Sequence, residues 1–203
     1  MYRKITWTQI DPLLHGLHLL SENDIIYYHL EYKKGGYNQS PANQWVLNYK
    51  KGIEHRNEKQ WYYKEEAIKN FARLIVQFPI GGNQILLAGP PSKCQDSPLF
   101  DSRNEDTLKI VKYNTGATIS FNLKAIHDID PTHLRVGYRS PERLRGLYVF
   151  DSFKYVPDIV YIVDDVITSG SHFVVWRDLI HQTHPGLEVR GLYLARTINS
   201  EIL

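Results

Sequence analysis

The sequence predicts an α/β protein: an open, mainly parallel β-sheet with helices on both faces. Three observations carry this. From residue 84 onward, apolar runs of strand length alternate with segments of helical period. The run IVYIV at 159–163 is wholly apolar, as suits a parallel strand covered on both sides. Gly81-Gly82 and Pro185-Gly186 punctuate the alternation where elements should end.

In chain order, DIIYYHLEY (24–32) and QWVLNY (44–49) are rich in β-formers on either side of Gly35-Gly36. They predict a hairpin with a long connection. Residues 1–60 are therefore expected to form a β-rich N-terminal segment, and 61–203 the core of a single compact unit. Ile68, Phe71, Ala72 and Ile75 recur at i, i+3, i+4 and i+7, which predicts a helix over 61–78 ended by Pro79 and the glycine pair. QILLA (84–88) reads as a short buried strand running into GPPSK. Ser102 and Glu105 have capping-box spacing, with Leu108 and Val111 on one side, so a helix is expected over about 102–113. Thr118 to Phe121 and Leu187 to Ala195 read as strands, and Asp158 to Val163 as the clearest one. Ser171 to Gln182 reads as a helix with Phe173, Trp176 and Ile180 inward, stopped by His184-Pro185-Gly186.

Composition narrows the function classes. Lys and Arg number 24 against 22 Asp and Glu, a net charge of +2, which does not mark a nucleic-acid binder. The single cysteine, Cys94, excludes an internal disulfide and a cysteine-based zinc cluster, and points to a reducing, cytoplasmic setting. No apolar run approaches the roughly 20 residues of a bilayer span, so a soluble protein without a membrane partner is expected. Asp11, His15 and His18 interrupt the first apolar patch, which argues against a secretory signal. Walker-type GxxxxGK[ST], dinucleotide GxGxxG and HExxH patterns are absent.

The chemistry concentrates in IVYIVDDVITSGSH (159–172). In an open α/β sheet, ligands sit beyond the carboxyl ends of the strands. Asp164 and Asp165 lie there. Thr168, Ser169, Gly170 and Ser171 form the turn into the next helix, where unpaired backbone N–H groups and the helix dipole favour an anion. Two carboxylates beside a phosphate cradle suit a phosphorylated sugar: the carboxylates accept bonds from ribose hydroxyls while the amides hold the 5-phosphate. Adjacent strand residues face opposite sides, so one of the two acids is open to a bracing role. By itself PPSK (90–93) reads as a proline turn with a solvated lysine. The arginine-rich HLRVGYRSPERLRG (133–146) reads equally as a loop closing on an anion or as a solvated loop, and His127 and His133 lack metal-ligand spacing.

VDDVITSG resembles the phosphoribosyl-pyrophosphate (PRPP) motif of type I phosphoribosyltransferases. The chain is most similar to the ComF-like, competence-protein branch. NYKK (48–51) looks like that branch's lysine-bearing segment, PPSK sits where the family has its pyrophosphate loop, RSPERLRGLYVF (139–150) is similar to its Ser-x-x-x-Arg segment, and LYLAR (192–196) to its closing strand. The branch's four-cysteine ribbon is absent, and the turn is Thr-Ser-Gly rather than Thr-Thr-Gly.

The resemblance implies a type I phosphoribosyltransferase fold with an N-terminal hood, and a PRPP site. Asp164 and Asp165 would meet the ribose hydroxyls directly or through Mg2+. Val166, Ile167, Thr168, Ser169, Gly170 and Ser171 would form the PRPP loop, and Ser92 and Lys93 would meet pyrophosphate. A flexible catalytic loop is expected between 114 and 145. Two function classes follow: a Mg-dependent phosphoribosyltransferase acting on a base or related nucleophile, or a PRPP- or nucleotide-binding regulator serving a partner protein of a DNA-processing system. A homodimer is compatible with either. As strand-end groups near solvent, both acids are expected to contribute little to stability.

Overall fold

The computed structural model describes residues 6–129 and 140–198. Its main sheet comprises β1 (Thr8–Gln9), β2 (Ile26–Lys33), β3 (Gln84–Ala88), β4 (Thr118–Ser120), β7 (Ile159–Ile167) and β8 (Glu188–Ile198) in the order β1-β2-β8-β7-β3-β4. Every pairing is parallel except that of β1 with β2. The α/β architecture expected from the sequence is therefore present. Two short strands, β5 (Leu123–Ala125) and β6 (Tyr148–Phe150), pair antiparallel as a separate ribbon.

Five helices flank the sheet among the described residues: α1 (Pro41–Tyr49), α2 (Trp61–Val76), α3 (Arg103–Thr115), the single turn α4 (Pro141–Leu144) and α5 (Ser171–Thr183). Helices α1, α2 and α3 cover one face, burying Val46, Phe71, Ile75 and Leu108 against Leu86, Tyr161 and Leu194. Helix α5 covers the other, where Phe173, Trp176 and Ile180 meet Val160, Ile162 and Leu87. The first residues join that second layer through Ile10, Leu17 and Leu20.

Two expectations are corrected. QWVLNY is helical, so the hairpin does not form. Ser40 Oγ accepts the Asn43 N–H at 3.0 Å and Pro41 opens the first turn, a start signal that outweighs the β-propensity of the aromatic run. β2 instead pairs along its length with β8 in the main sheet. The capping box is also absent: Ser102 Oγ donates to Asp106 Oδ2 at 2.6 Å rather than accepting a backbone N–H.

The chain leaves β3 through α3 towards β4 and leaves β7 through α5 towards β8, on opposite faces. β3 and β7 are adjacent, with Ala88 opposite Val163. Their carboxyl ends thus border the point where the winding direction reverses, which opens a crevice between the two departing loops.

Candidate functional site

β7 runs past Val163 to Ile167, so both aspartates and the following Val166 and Ile167 are strand residues. Val166 packs on the α1–α3 layer and Ile167 is buried in the opposite one, which leaves the turn proper to residues 168–170.

Asp165 is buried, 4% exposed. Its Oδ2 accepts from Arg103 Nη2 at 2.6 Å and Nε at 3.2 Å, and its Oδ1 from Lys50 Nζ at 3.1 Å. Burial opposes its ionisation, but Lys50 and Arg103 together hold the carboxyl well below the usual carboxylate range. Arg103 Nη1 also donates to Asp101 Oδ2 at 2.6 Å, and the same oxygen takes a 2.7 Å bond from Lys64 Nζ. Lys64, 1% exposed, donates further to the carbonyls of Tyr49 and Lys51, and burial lowers its pKa. The expectation that both acids lie near solvent with little to stabilise is thereby overturned for Asp165, which anchors a buried network of paired charges.

Asp164 differs from its neighbour. Its Oδ1 accepts from Asn104 Nδ2 at 2.8 Å, and that amide group also donates to the Gly89 carbonyl at 2.8 Å. Asn104 in turn accepts from the buried Tyr49 hydroxyl at 2.8 Å. The α3 start thus ties the end of β3 to the end of β7. Burial, and then the negative charge of Asp165, push the Asp164 carboxyl above the usual range. It is only partly buried, and a donor or cation arriving there would favour its ionised form.

In the turn, Thr168 Oγ1 pairs with Thr197 Oγ1 at 2.8 Å, and Ser169 Oγ with Ser171 Oγ at 2.8 Å. Gly170 has φ +84°, a left-handed conformation that side chains rarely adopt. A Cβ there would also stand 2.7 Å from Leu20 Cδ2, so the N-terminal segment walls this side of the turn. Asp24 holds that segment to α5 through an ion pair with Arg177.

The loop after β3 lines a small open cleft with Gly89, Pro90, Pro91 and Lys93, and α3 adds Asn104. Ser92 contributes its carbonyl to the Ile129 N–H at 2.6 Å. Lys93 Nζ lies 3.5 Å from Asp128, turned to a loop that Asp128 also braces through the Cys94 N–H and Ser97 hydroxyl. Topology therefore brings Asp164, the 168–171 turn and the PPSK loop to one sheet edge, while the described Lys93 contact is with Asp128. The segment 130–139, which holds His133, Arg135 and Arg139 and much of the expected catalytic loop, lies outside the described residues.

Arg103, Asn104, Asp101 and Lys64 were not assigned from the sequence. The local sequence shows only that DSRN opens a helix after the PPSK loop; that its arginine and amide meet the motif strand is seen only in the fold. Of the aromatic residues between 27 and 63, Tyr28 and Tyr49 are core, while Tyr37, Tyr62 and Tyr63 are exposed. Among the described residues, no helix is long and apolar enough to cross a membrane.

The chain matches no model of a known protein family and no curated protein sequence.

Proposed function

We propose that the protein binds PRPP or a related ribose 5-phosphate compound in a type I phosphoribosyltransferase fold, and transfers the phosphoribosyl group to a base or similar nitrogen nucleophile with release of pyrophosphate. The supporting observation is the β3/β7 crevice, which sets Asp164, the 168–171 turn and the PPSK loop on one sheet edge.

Each half of the site has a task. Backbone N–H groups at the start of α5 hold the 5-phosphate. Asp164, with one oxygen on Asn104, orients the ribose hydroxyls. Asp165 is already saturated by Arg103 and Lys50, so it acts as a positioning residue that keeps its neighbour and the strand end in place. In transfer, the bond from C1 to the pyrophosphate oxygen breaks with its electron pair on the leaving group. The acceptor's lone pair forms the new C1–N bond, and its proton passes to solvent or pyrophosphate. Fixing ribose and acceptor in line accounts for much of the rate in such a reaction.

A Mg2+ ion fits this donor set through Asp164, a hard oxygen ligand with the substrate's own oxygens and water completing the shell. When bound, it supplies neutralisation of the charge that grows on pyrophosphate.

The test combines titration calorimetry with PRPP and Mg2+ and mass spectrometry of the protein incubated with PRPP and a pool of bases. Saturable binding and a PRPP-dependent product, formed with release of pyrophosphate, are expected. No heat with either PRPP or ribose 5-phosphate would sink the reading.

A further inference from the structure

The charges around Asp165 do not all have the same freedom. Four of them close among themselves: Lys64 and Arg103 carry two positive charges, Asp101 and Asp165 two negative ones, and all four are largely buried. Lys50 is the fifth. Its side chain is 43% exposed, against 15% for Arg103. If Lys50 leaves, Asp165 keeps both Arg103 bonds and no uncompensated charge remains inside.

The backbone beneath Lys50 is pinned while its side chain is not. Lys50 is the C-cap of α1, with its N–H on the Val46 carbonyl at 3.0 Å, and the next carbonyl, that of Lys51, accepts Lys64 Nζ at 2.6 Å. Side-chain rotation alone can therefore carry the ammonium from Asp165 to a group docking beside the acidic pair. Only the lysine end of this pair is exposed, and Arg103 keeps the buried Asp165 paired when Lys50 swings away, whereas a phosphate oxyanion offers the ammonium a charge-assisted bond.

We propose that Lys50 is the exchangeable cation of the site, leaving Asp165 to grip the diphosphate of the incoming ligand. This rests on reading the site as one for PRPP. It gives Lys50 the part that the sequence suggested for Lys93, whose ammonium is turned towards Asp128.

The experiment titrates PRPP and ribose 5-phosphate, at fixed Mg2+ and salt, into the full chain and its Lys50→Met, Lys50→Arg and Lys93→Met variants. Lys50→Met should lose roughly ten- to hundredfold in PRPP affinity, the range of a charge-assisted hydrogen bond, with little change for ribose 5-phosphate. Lys50→Arg should retain most of the affinity, Lys93→Met should lose less than Lys50→Met, and the melting temperature of Lys50→Met should stay within about 2 °C of the parent. PRPP binding to Lys50→Met at parental strength would overturn the proposal. So would equal weakening for both ligands with a fallen melting temperature, which would make Lys50 only a structural partner of Asp165. Failure of the parent chain to bind either ligand would remove the PRPP reading and Lys50's role together, a result distinct from the other two.

Discussion

On the α1 and α3 side of β7, Asp165 meets Arg103 and Lys50, and Arg103 continues through Asp101 to Lys64. On the α5 side, the turn meets hydroxyls from Thr168, Thr197, Ser169 and Ser171 and a leucine side chain, with no ion pair among those contacts. Under the proposed function, the difference reflects what each side would present to a ligand. A carboxylate buried at a strand end is tolerable only when fully paired, so its partners are in place before any ligand arrives. Backbone N–H donors need no such pairing; they need a chain conformation, and Gly170 supplies it.

The charged side should break hardest. Arg103→Met leaves Asp165 and Asp101 buried with fewer partners, and should cost about 3–5 kcal/mol in a urea unfolding titration. A loss below about 1 kcal/mol would show that water or Lys50 replaces the guanidinium easily, and the contrast between the two sides would collapse.

The turn should break less, and through geometry. Gly170→Ala forces a Cβ into a left-handed residue and against Leu20, for an expected cost of about 1–3 kcal/mol. Combining it with Leu20→Ala separates the causes. The φ penalty should persist in the double variant, while the part due to contact should vanish, which a double-mutant cycle reads directly.

The smallest effect lies between the two regions, at His172 on the first turn of α5. Its ring packs against Tyr148 and Trp176. Burial pushes its pKa down from 6.5 to about 4, with Asp165 opposing and Lys50 adding to the shift. The unfolded chain takes up this proton first, so the contribution of neutral His172 is present above about pH 6.5 and is lost as pH falls towards 4. Because the ring is only partly buried, that loss should be on the order of 1 kcal/mol. His172→Asn should flatten the melting temperature between pH 6.5 and 4; an unchanged slope would assign the acid sensitivity elsewhere.

How much of this was legible in the sequence depended on the range of the interactions. β3, β7, α2 and α5 were readable because their period, apolar runs and stop signals are local. α1 is not legible locally because Trp45, Val46 and Tyr49 favour a strand, while the Ser40-Pro41 start governs the segment. The motif marks Asp164 near the carboxyl end of β7 and the turn after it, although the strand runs on to Ile167 rather than ending at Val163. The network behind it did not: Arg103 and Asp165 lie 62 positions apart, Lys50 and Asp165 115. Such pairs exist only once α1 and α3 have docked on the same face of the sheet, and nothing in the residues flanking Arg103 or Lys50 states which carboxylate each will meet.

The contact between Leu20 and Gly170 constrains its two members unequally. Gly170 is held by its φ of +84° and by the leucine, whereas the Leu20 side chain is held by packing alone. Substitutions can therefore accumulate in only one order. Leu20 can drift among residues that fill the same space while the glycine stays. A Cβ at Gly170 stays penalised whatever has happened at position 20, because removing the leucine relieves the clash and leaves the dihedral. In a lineage of this protein, the N-terminal segment would be the variable partner and the turn glycine the fixed one.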